Sequence, residues 1–414
     1  MRTLVPKRRF AGFSGEWEER KLGEVTSYLK GFAFKSQDYR DEGVRIIRSS
    51  DLLASDIEVN SNNIYIDEQL LENFKDYKLN KGEIIVTTVG SKSEMKDSAV
   101  GRAIFVNDDN IGLLNQNLVK ISTNRDSNSY FVYHNLLRKK YSEFIGTIER
   151  GNANQANITI AELLGYEILV PNLEEQIKIG NFFSNLDNLI SLNQQKLDKL
   201  KATKSAYLSE MFPREGELYP KRRFPGFTEP WEEKKMKDIF PVIQSGNRLP
   251  KVLVEKGEIP YVIATVENNG VLMEIDKETL DYHGNEMKLF KVPSITFSID
   301  NPEAIFLQEK SFFASNIMRV LNNPSLNSYD YLFFLEILRR LTSGFDWSVK
   351  FSGPVVLELD IMVPTINGKE KINYKEIRKI GNFFSNLDSL ISAQQNKLEK
   401  LKALKQAYLA EMFV

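Results

Sequence analysis

Residues 178–213 read KIGNFFSNLDNLISLNQQKLDKLKATKSAYLSEMFP, and residues 379–414 read KIGNFFSNLDSLISAQQNKLEKLKALKQAYLAEMFV. At a constant offset of 201, only 9 of the 36 paired positions differ. A segment kept this closely within one chain is needed twice, and it constrains the fold before any other feature. Both copies read as one long helix. Phe183, Leu186, Ile190, Asn193, Leu197, Leu200, Lys204, Tyr207 and Met211 step by alternating threes and fours, the period of a coiled-coil seam. Phe384, Leu387, Ile391, Gln394, Leu398, Leu401, Lys405, Tyr408 and Met412 repeat that seam. Asn172 with Glu175, and Asn373 with Glu376, predict a capping box at each start. Pro213 stops the first helix. Each rod is about 55 Å long at 1.5 Å per residue. Polar seam residues cost stability and fix register, and two matching seams are most simply buried against each other.

The repeat extends beyond the rods. PKRRFAGFSGEWEE from Pro6 returns as PKRRFPGFTEPWEE from Pro220, and weaker echoes follow in the same order at drifting offsets. Drift of this kind marks small insertions between matched elements, so the chain is a tandem duplication with unequal loops. Short β-rich runs dominate the first half at 44–48, 83–89, 102–106, 118–122 and 166–170. Counterparts lie at 259–266, 294–299, 304–307, 317–321 and 357–363. Short helices are predicted near 68–74, 130–148 and 329–341. The expected architecture is α+β: a globule over residues 1–171, a rod over 172–213, a linker over 214–230, a second globule over 231–364 and a second rod over 365–414.

The 414 residues carry 55 Lys and Arg against 56 Asp and Glu, a net charge of −1. That balance weighs against a generic nucleic-acid binder but leaves room for local basic surfaces. The absence of cysteine excludes disulfides, thiolate metal sites and a Cys nucleophile. No run of about 20 apolar residues is present to span a membrane, and MRTLVPKRRF lacks the apolar stretch of a signal peptide. A cytoplasmic protein without membrane contact is expected.

Catalytic patterns are missing. Gly90-Ser91-Lys92-Ser93 lacks the order of a phosphate loop, and Asn301-Pro302-Glu303-Ala304 lacks the second proline and aromatic of the amino-methyltransferase motif it begins like. His134 and His283 lie in unrelated contexts, so no metal site or triad is expected, and His134 reads as structural. The polar loops carry more. Residues 30–39 interleave Lys30 and Lys35 with aromatics, Arg45, Arg48 and Ser49 end a strand, and Lys92 follows another. Residues 149–157 (ERGNANQAN) set Arg150, Asn152, Asn154 and Gln155 on a glycine-containing loop, side chains suited to purine edges. The second half offers Gln244, Asn247, Arg248 and Lys251, then Asn268 and Asn269, then Lys350 within 343–352. Each stretch alone reads as an exposed polar loop; six at corresponding places in two repeated globules read as one surface used twice. Arg138-Lys139-Lys140 and Arg339-Arg340 fit solvated helix faces and phosphate contacts equally. Lys7-Arg8-Arg9 and Lys221-Arg222-Arg223 fit either phosphate contacts or duplicated linker packing.

Two similar globules on two rods, packed antiparallel with a pseudo-dyad, suit two half-sites of a duplex at a fixed spacing, with unequal loops giving an asymmetric bipartite site. Near-identical rods suit two copies of one partner. In RRF-x-GF…WEE opening each half, in Pro171…Glu174-Glu175-Gln176, in KIGNFFSNLD…QQ-x-KL and in its layout, the sequence resembles the specificity subunits of type I restriction–modification systems. Asn154-Gln155-Ala156-Asn157-Ile158 is similar to the family's Gln–x–x–Ile element, and the resemblance covers nearly the whole chain.

The resemblance implies two target recognition domains reading double-stranded DNA, and helices that set the spacer. It implies that two methyltransferase (modification) subunits dock on helix positions that include Leu186, Ile190, Leu197, Leu200 and Tyr207, with Leu387, Ile391, Leu398, Leu401 and Tyr408. ATP-driven restriction subunits would join that core. S-adenosylmethionine, ATP and Mg would sit on those partners, with no cofactor or catalysis in this chain. The second half departs from the pattern: an eight-residue insertion precedes Asn373 without the Glu-Gln pair, and Ser348 stands where Gln155 does. A duplicated protein-binding scaffold on a coiled-coil hairpin is the alternative reading. A piece of a fused methyltransferase–recognition polypeptide is a third, which a repeat filling the chain argues against.

Overall fold

Ile84–Thr87 (β5) buries all four side chains, as a strand covered on both faces does. It lies inside a four-stranded antiparallel sheet with β2 (Thr26–Lys30), β9 (Leu118–Thr123) and β7 (Ala103–Phe105), in the order β2-β9-β5-β7. The computed structural model to which this sheet belongs describes residues 4–53, 57, 63–94, 99–152, 155–250, 256–366 and 371–414. It divides into two units, Met1–Gln194 with Asn396–Val414, and Gln195–Gln395.

In the first unit a second sheet sets β3 (Val44–Ile47) between β4 (Ile64–Ile66) and, in parallel, β8 (Leu113–Leu114). β1 (Glu18–Lys21) pairs antiparallel with β12 (Glu167–Val170). A three-stranded ribbon joins β6 (Val89–Gly90) to β11 (Gln155–Asn157) and β10 (Arg150–Asn152). The helices are α1 (Leu22–Val25), α2 (Ser129–Asn135), α3 (Lys139–Ile148), α4 (Ile160–Leu164), the 38-residue α5 (Leu173–Glu210) as far as Gln194, and the last part of a second long helix from Asn396.

The second unit repeats the plan. β14 (Ile243–Ser245), β20 (Met318–Leu321), the wholly buried β17 (Ser294–Ser298) and β18 (Ile305–Gln308) form the same antiparallel order. β15 (Lys256–Val262) again sits between an antiparallel neighbour, β16 (Val271–Ile275), and a parallel one, β19 (Phe313–Ala314). β13 (Trp231–Lys235) pairs with β21 (Asp360–Ile366), and β22 (Lys371–Ile372) extends it where the first half has no insertion. α6 (Met236–Ile239), α7 (Ser328–Ser343), α8 (Gly353–Leu357), the rest of α5 and the 39-residue α9 (Tyr374–Met412) as far as Gln395 complete the unit. Gly31 and Gly246 hold one turn in both: a Cβ on either would stand 1.9 Å from a carbonyl oxygen, of Asn115 or Ala314.

Every predicted run overlaps a strand, whereas β1, β2, β4, β8, β13, β14, β16, β19 and β22 lie outside the predicted runs, and three further departures stand out. The helix expected over 130–148 breaks after Asn135, and α3 restarts beyond Arg138, whose guanidinium lies 5.5 Å over the Phe413 ring and donates to the Val414 carbonyl. The strand expected from 357 begins at Asp360, because 353–357 is α8. Within the expected loop 149–157, the described residues 150–152 and 155–157 pair as strands β10 and β11.

The two seams are real. Within each unit α5 and α9 pack antiparallel, the start of one against the end of the other. Phe182 meets Tyr408 and Phe183 meets Phe413 in the first unit, and Tyr207 meets Phe383 in the second. Leu186, Leu197, Leu387 and Leu398 are buried, and Ile190, Leu200, Tyr207, Ile391, Leu401 and Tyr408 half-buried. The two lysines of the seams are paired, Lys405 with Asp187 at 2.5 Å and Lys204 with Asp388 at 2.8 Å, while Asn193 donates to the Leu189 carbonyl of its own helix.

Only half of each capping box forms. The Asn172 and Asn373 side chains accept from the backbone N–H groups of Glu175 and Glu376, at 2.9 and 3.2 Å. The two carboxylates turn elsewhere: Glu175 takes a double hydrogen bond from Arg9 and Glu376 one from Arg223, all four at 2.7–2.8 Å. Both carboxylates are fully buried, so the repeated arginines bind helix starts, not phosphate. Arg8 and Arg222 likewise hold Glu411 and Glu210. Trp17 packs edge-on against Phe131 and Phe413, and Trp231 packs edge-on against Phe212 and tilted against Phe333. The RRF…WE motif is therefore a clamp for helix ends. Among the described residues, no helix is long and apolar enough to cross a membrane.

Candidate nucleic-acid interface

The hairpin in the first unit gathers more of the predicted residues than any other element. Its register pairs Arg150 with Asn157, Gly151 with Ala156, and Asn152 with Gln155. Cross-strand partners and alternate residues share a face, so Arg150, Asn152, Gln155 and Asn157 project together and are exposed. Gly151 and Ala156 turn the other way, where Ala156 is fully buried and pairs with Gly90. Gly151 has φ +118°, and a Cβ there would meet the Gln155 carbonyl at 2.1 Å, so only glycine closes this ribbon. The Asn152 side chain accepts from the Gln155 N–H at 3.0 Å. Asn154 lies outside the described residues.

Arg150 is not a free guanidinium. Its two terminal nitrogens grip both oxygens of Glu162, one of them at 2.9 Å. Glu162 is fixed in turn at the start of α4, where the Thr159 hydroxyl donates to it at 2.6 Å and accepts its backbone N–H at 3.2 Å. Hydrogen bonds from Arg150 and then Thr159 hold the Glu162 carboxyl down at about 2.

The other expected contacts of the first unit are scattered. Lys30 ends β2 and Lys35 precedes a short turn, both exposed; Lys92 is half-buried. Arg45, half-buried, lines a cavity of about 530 Å³ with Glu68 and Lys78. Arg48 closes on the buried Asp51 at 2.9 Å, and Ser49 begins the turn between them. Lys139 pairs with Glu143.

In the second unit Asn247 is spent on structure. Its amide donates to Asp281 at 3.0 Å, its oxygen accepts from the Lys288 N–H, and its backbone carbonyl receives the Tyr261 hydroxyl. Asp281 also accepts the N–H groups of His283 and Asn285. This latch presents Arg248, exposed and 4.8 Å over the Tyr282 ring. Sequence reasoning missed Tyr282 and Asp281, which lie 34 residues from Arg248 and Asn247. Gln244 is half-buried within β14. Asn268 and Asn269 take φ of 45° and 52° in one exposed turn, a conformation asparagine tolerates. Lys350 is exposed, and Lys251 lies outside the described residues. Arg339 joins Glu336 at 2.8 Å, and Arg340 covers Phe212 at 4.9 Å, so both are packing residues.

His134 is buried and structural, as expected. Its ring bonds the Tyr130 carbonyl at 2.6 Å and Asp187 at 3.0 Å and stacks on Phe183. Burial pushes its imidazole below the ordinary histidine value. Among the described residues, no cluster of His, Asp and Glu is arranged to hold a metal ion.

The sequence matches the family described as the type I restriction modification DNA specificity domain twice, over residues 14–202 and 228–403. It is 26% identical over 188 residues to the type I restriction enzyme EcoAI specificity subunit of Escherichia coli, covering 45% of this chain and 29% of that one. It is 27% identical over 136 residues to the specificity subunit of a type II restriction enzyme, S.BcgI, of Heyndrickxia coagulans, covering 33% and 38%. The chain spans between 29% and 51% of the length of the curated relatives it matches. In three dimensions it is similar to the crystal structure of the type I restriction–modification S subunit from M. genitalium, with TM-score 0.67, 17% identity and 99% of both chains covered. A structure titled for the complex assembly and conformational transition of the type I system matches at TM-score 0.50 and 16% identity, over 95% of this chain and 96% of that one.

Proposed function

The chain belongs to the type I restriction modification DNA specificity family, and on that premise we propose that it is the non-catalytic subunit that gives a restriction–modification complex its DNA sequence. Each recognition domain reads one half of an asymmetric bipartite site. The observation that carries this reading is the contrast within one plan: matched sheets and clamps in both units, but different exposed polar elements. These are the β10–β11 face in the first and the Arg248–Tyr282 loop in the second. Domain boundaries near residues 171 and 231 follow from the same plan.

The paired helices set the spacer and dock two modification subunits. Because the seams turn inward, docking falls to the outward faces, where Leu189, Leu192, Leu390 and Leu404 stand exposed. S-adenosylmethionine for adenine methylation, and ATP and Mg for restriction, belong to those partners, and the assembly works in the cytoplasm. The test is single-molecule sequencing of genomic DNA from cells expressing the chain with a type I modification subunit. The expected result is methylated adenine in one split, asymmetric motif that vanishes when the chain is deleted. Unmodified DNA from an active methyltransferase would favour a protein-binding scaffold instead. Replacing residues 1–171 by those of a relative changes one half-site only. Inserting a heptad near Leu197, about 10 Å of rise, lengthens the spacer and leaves both half-sites unaltered.

A further inference from the structure

We propose that the exposed face of the β10–β11 ribbon reads adenine in the major groove of the first half-site through the side-chain amides of Gln155 and Asn157. In this arrangement Glu162 holds Arg150 back from competing for guanine or for backbone phosphate. The inference rests on the reading of the first unit as a half-site reader and goes beyond it in naming the base, the two amides that read it and a counter-charge. Asn157 lies within the 149–157 stretch and the Gln–x–x–Ile element without being singled out there, and Glu162 is neither basic nor part of a motif.

Three observations carry it. A two-stranded ribbon is one of the two elements that the major groove admits, and this one presents four polar side chains on a single face with nothing apolar among them. Its backbone is fixed by Gly151, by the buried Ala156 and by pairing to β6, so the amides are held on a rigid support. Among the described residues the Gln155 and Asn157 amides have no protein partner. An amide paired with adenine accepts from N6 and donates to N7, which other bases do not match.

The guanidinium on the same face is treated differently. Guanine reading needs two donors of an arginine, and the two terminal nitrogens of Arg150 are already closed on Glu162. The cap by Thr159 keeps that carboxylate in place, and the bonds from Arg150 and then Thr159 keep it ionised. Nearby phosphate is repelled by Glu162 as much as it is attracted by Arg150, so the ribbon gains little from non-specific contact. The second unit has no such ribbon among its described residues, and the inference is confined to the first half-site.

The experiment uses the full chain and a randomised duplex library to obtain the bound motif, then single duplexes with each adenine of the first half-site replaced in turn by 7-deazaadenine, which lacks the N7 acceptor. Wild type is expected to lose about tenfold or more at one or two adenines. Gln155→Ala and Asn157→Ala each abolish that sensitivity at one position and accept other bases there, while selectivity at the second half-site, read on the same molecule, is unchanged. Glu162→Gln keeps the adenine preference but binds all duplexes more tightly, with a salt dependence steeper by about one phosphate contact. The inference is overturned if the amide variants leave the first half-site unaltered or weaken every sequence alike, and its counter-charge part if Glu162→Gln leaves the salt slope unchanged. A bipartite motif that survives all three variants defeats this inference alone. The absence of any bipartite motif defeats the function proposed above.

Discussion

The two units solve one packing problem with the same residues and a second with different ones. Where helix starts meet the RRF…WE clamp, the copies are interchangeable. Arg9 and Glu175 correspond to Arg223 and Glu376, and Trp17 on Phe413 corresponds to Trp231 on Phe212. One residue further along each helix, they diverge. Gln176, buried, ties the first unit together by accepting from the Asn128 N–H and donating to the Asp126 and Pro171 carbonyls. The second unit has Ile377 at that position and instead pairs Arg378 with the buried Asp330, which caps its own helix. Position and partner are preserved where a buried carboxylate would otherwise be orphaned. Beside the clamp, the neutral tie of the first unit gives way to an ion pair in the second.

The largest effect that tests this contrast is removal of the clamp arginine. Arg9→Ala and Arg223→Ala each leave a fully buried carboxylate unpaired, and each should cost about 3–5 kcal/mol, read by urea unfolding. Near-equal losses uphold the interchangeability of the clamps; a large difference breaks it. The divergent tie should behave otherwise. Gln176→Ala strands the Asn128 N–H and two carbonyls and is expected to cost about 2–3 kcal/mol. Arg378 is half exposed and Asp330 keeps the Asn327 N–H, so Arg378→Ala should cost less than about 1 kcal/mol. Equal effects would show that the second unit has only exchanged one tie for another of the same strength.

The same distinction governs what was legible in the sequence. The seams, the buried strands and the duplication are written in apolar spacing, and the structure follows them residue by residue from Phe183 to Met211. The ribbon is not. Of its six described residues only Ala156 is buried, so its strands carry no alternation for a reader to count, and its closure depends on the φ of Gly151. The fate of charged side chains is equally hidden. Arg9 and Arg150 look alike as text; one clasps a carboxylate 166 positions away and the other a carboxylate 12 positions away. Asn247 was expected to face a ligand because its type suits bases, yet Asp281 and Lys288 consume it. Local pattern reveals what is buried by hydrophobicity. It does not reveal which polar groups the fold has already spent.

The smallest predicted effect separates the units by pH. One seam cluster joins Lys405, Asp187 and His134; its counterpart joins Lys204, Asp388 and Glu336, with Arg339 beside it. Above about pH 6.5 His134 is neutral in both folded and unfolded chains, so it contributes no pH dependence. Burial lowers its folded value, so as pH falls below 6.5 the unfolded chain takes the proton first and the first unit loses stability. The loss amounts to about 1.4 kcal/mol for each unit of depression and levels off below the folded value. Glu336 occupies the matching place without an imidazole, so the second unit lacks this transition. His134→Gln keeps a hydrogen bond toward Asp187 and should flatten the acid limb of the unfolding profile between pH 6.5 and the folded histidine value, while Glu336→Gln leaves that limb in place. If both variants retain the limb, the acid sensitivity comes from carboxylates common to the two units, and the His134–Glu336 difference is one of fit alone.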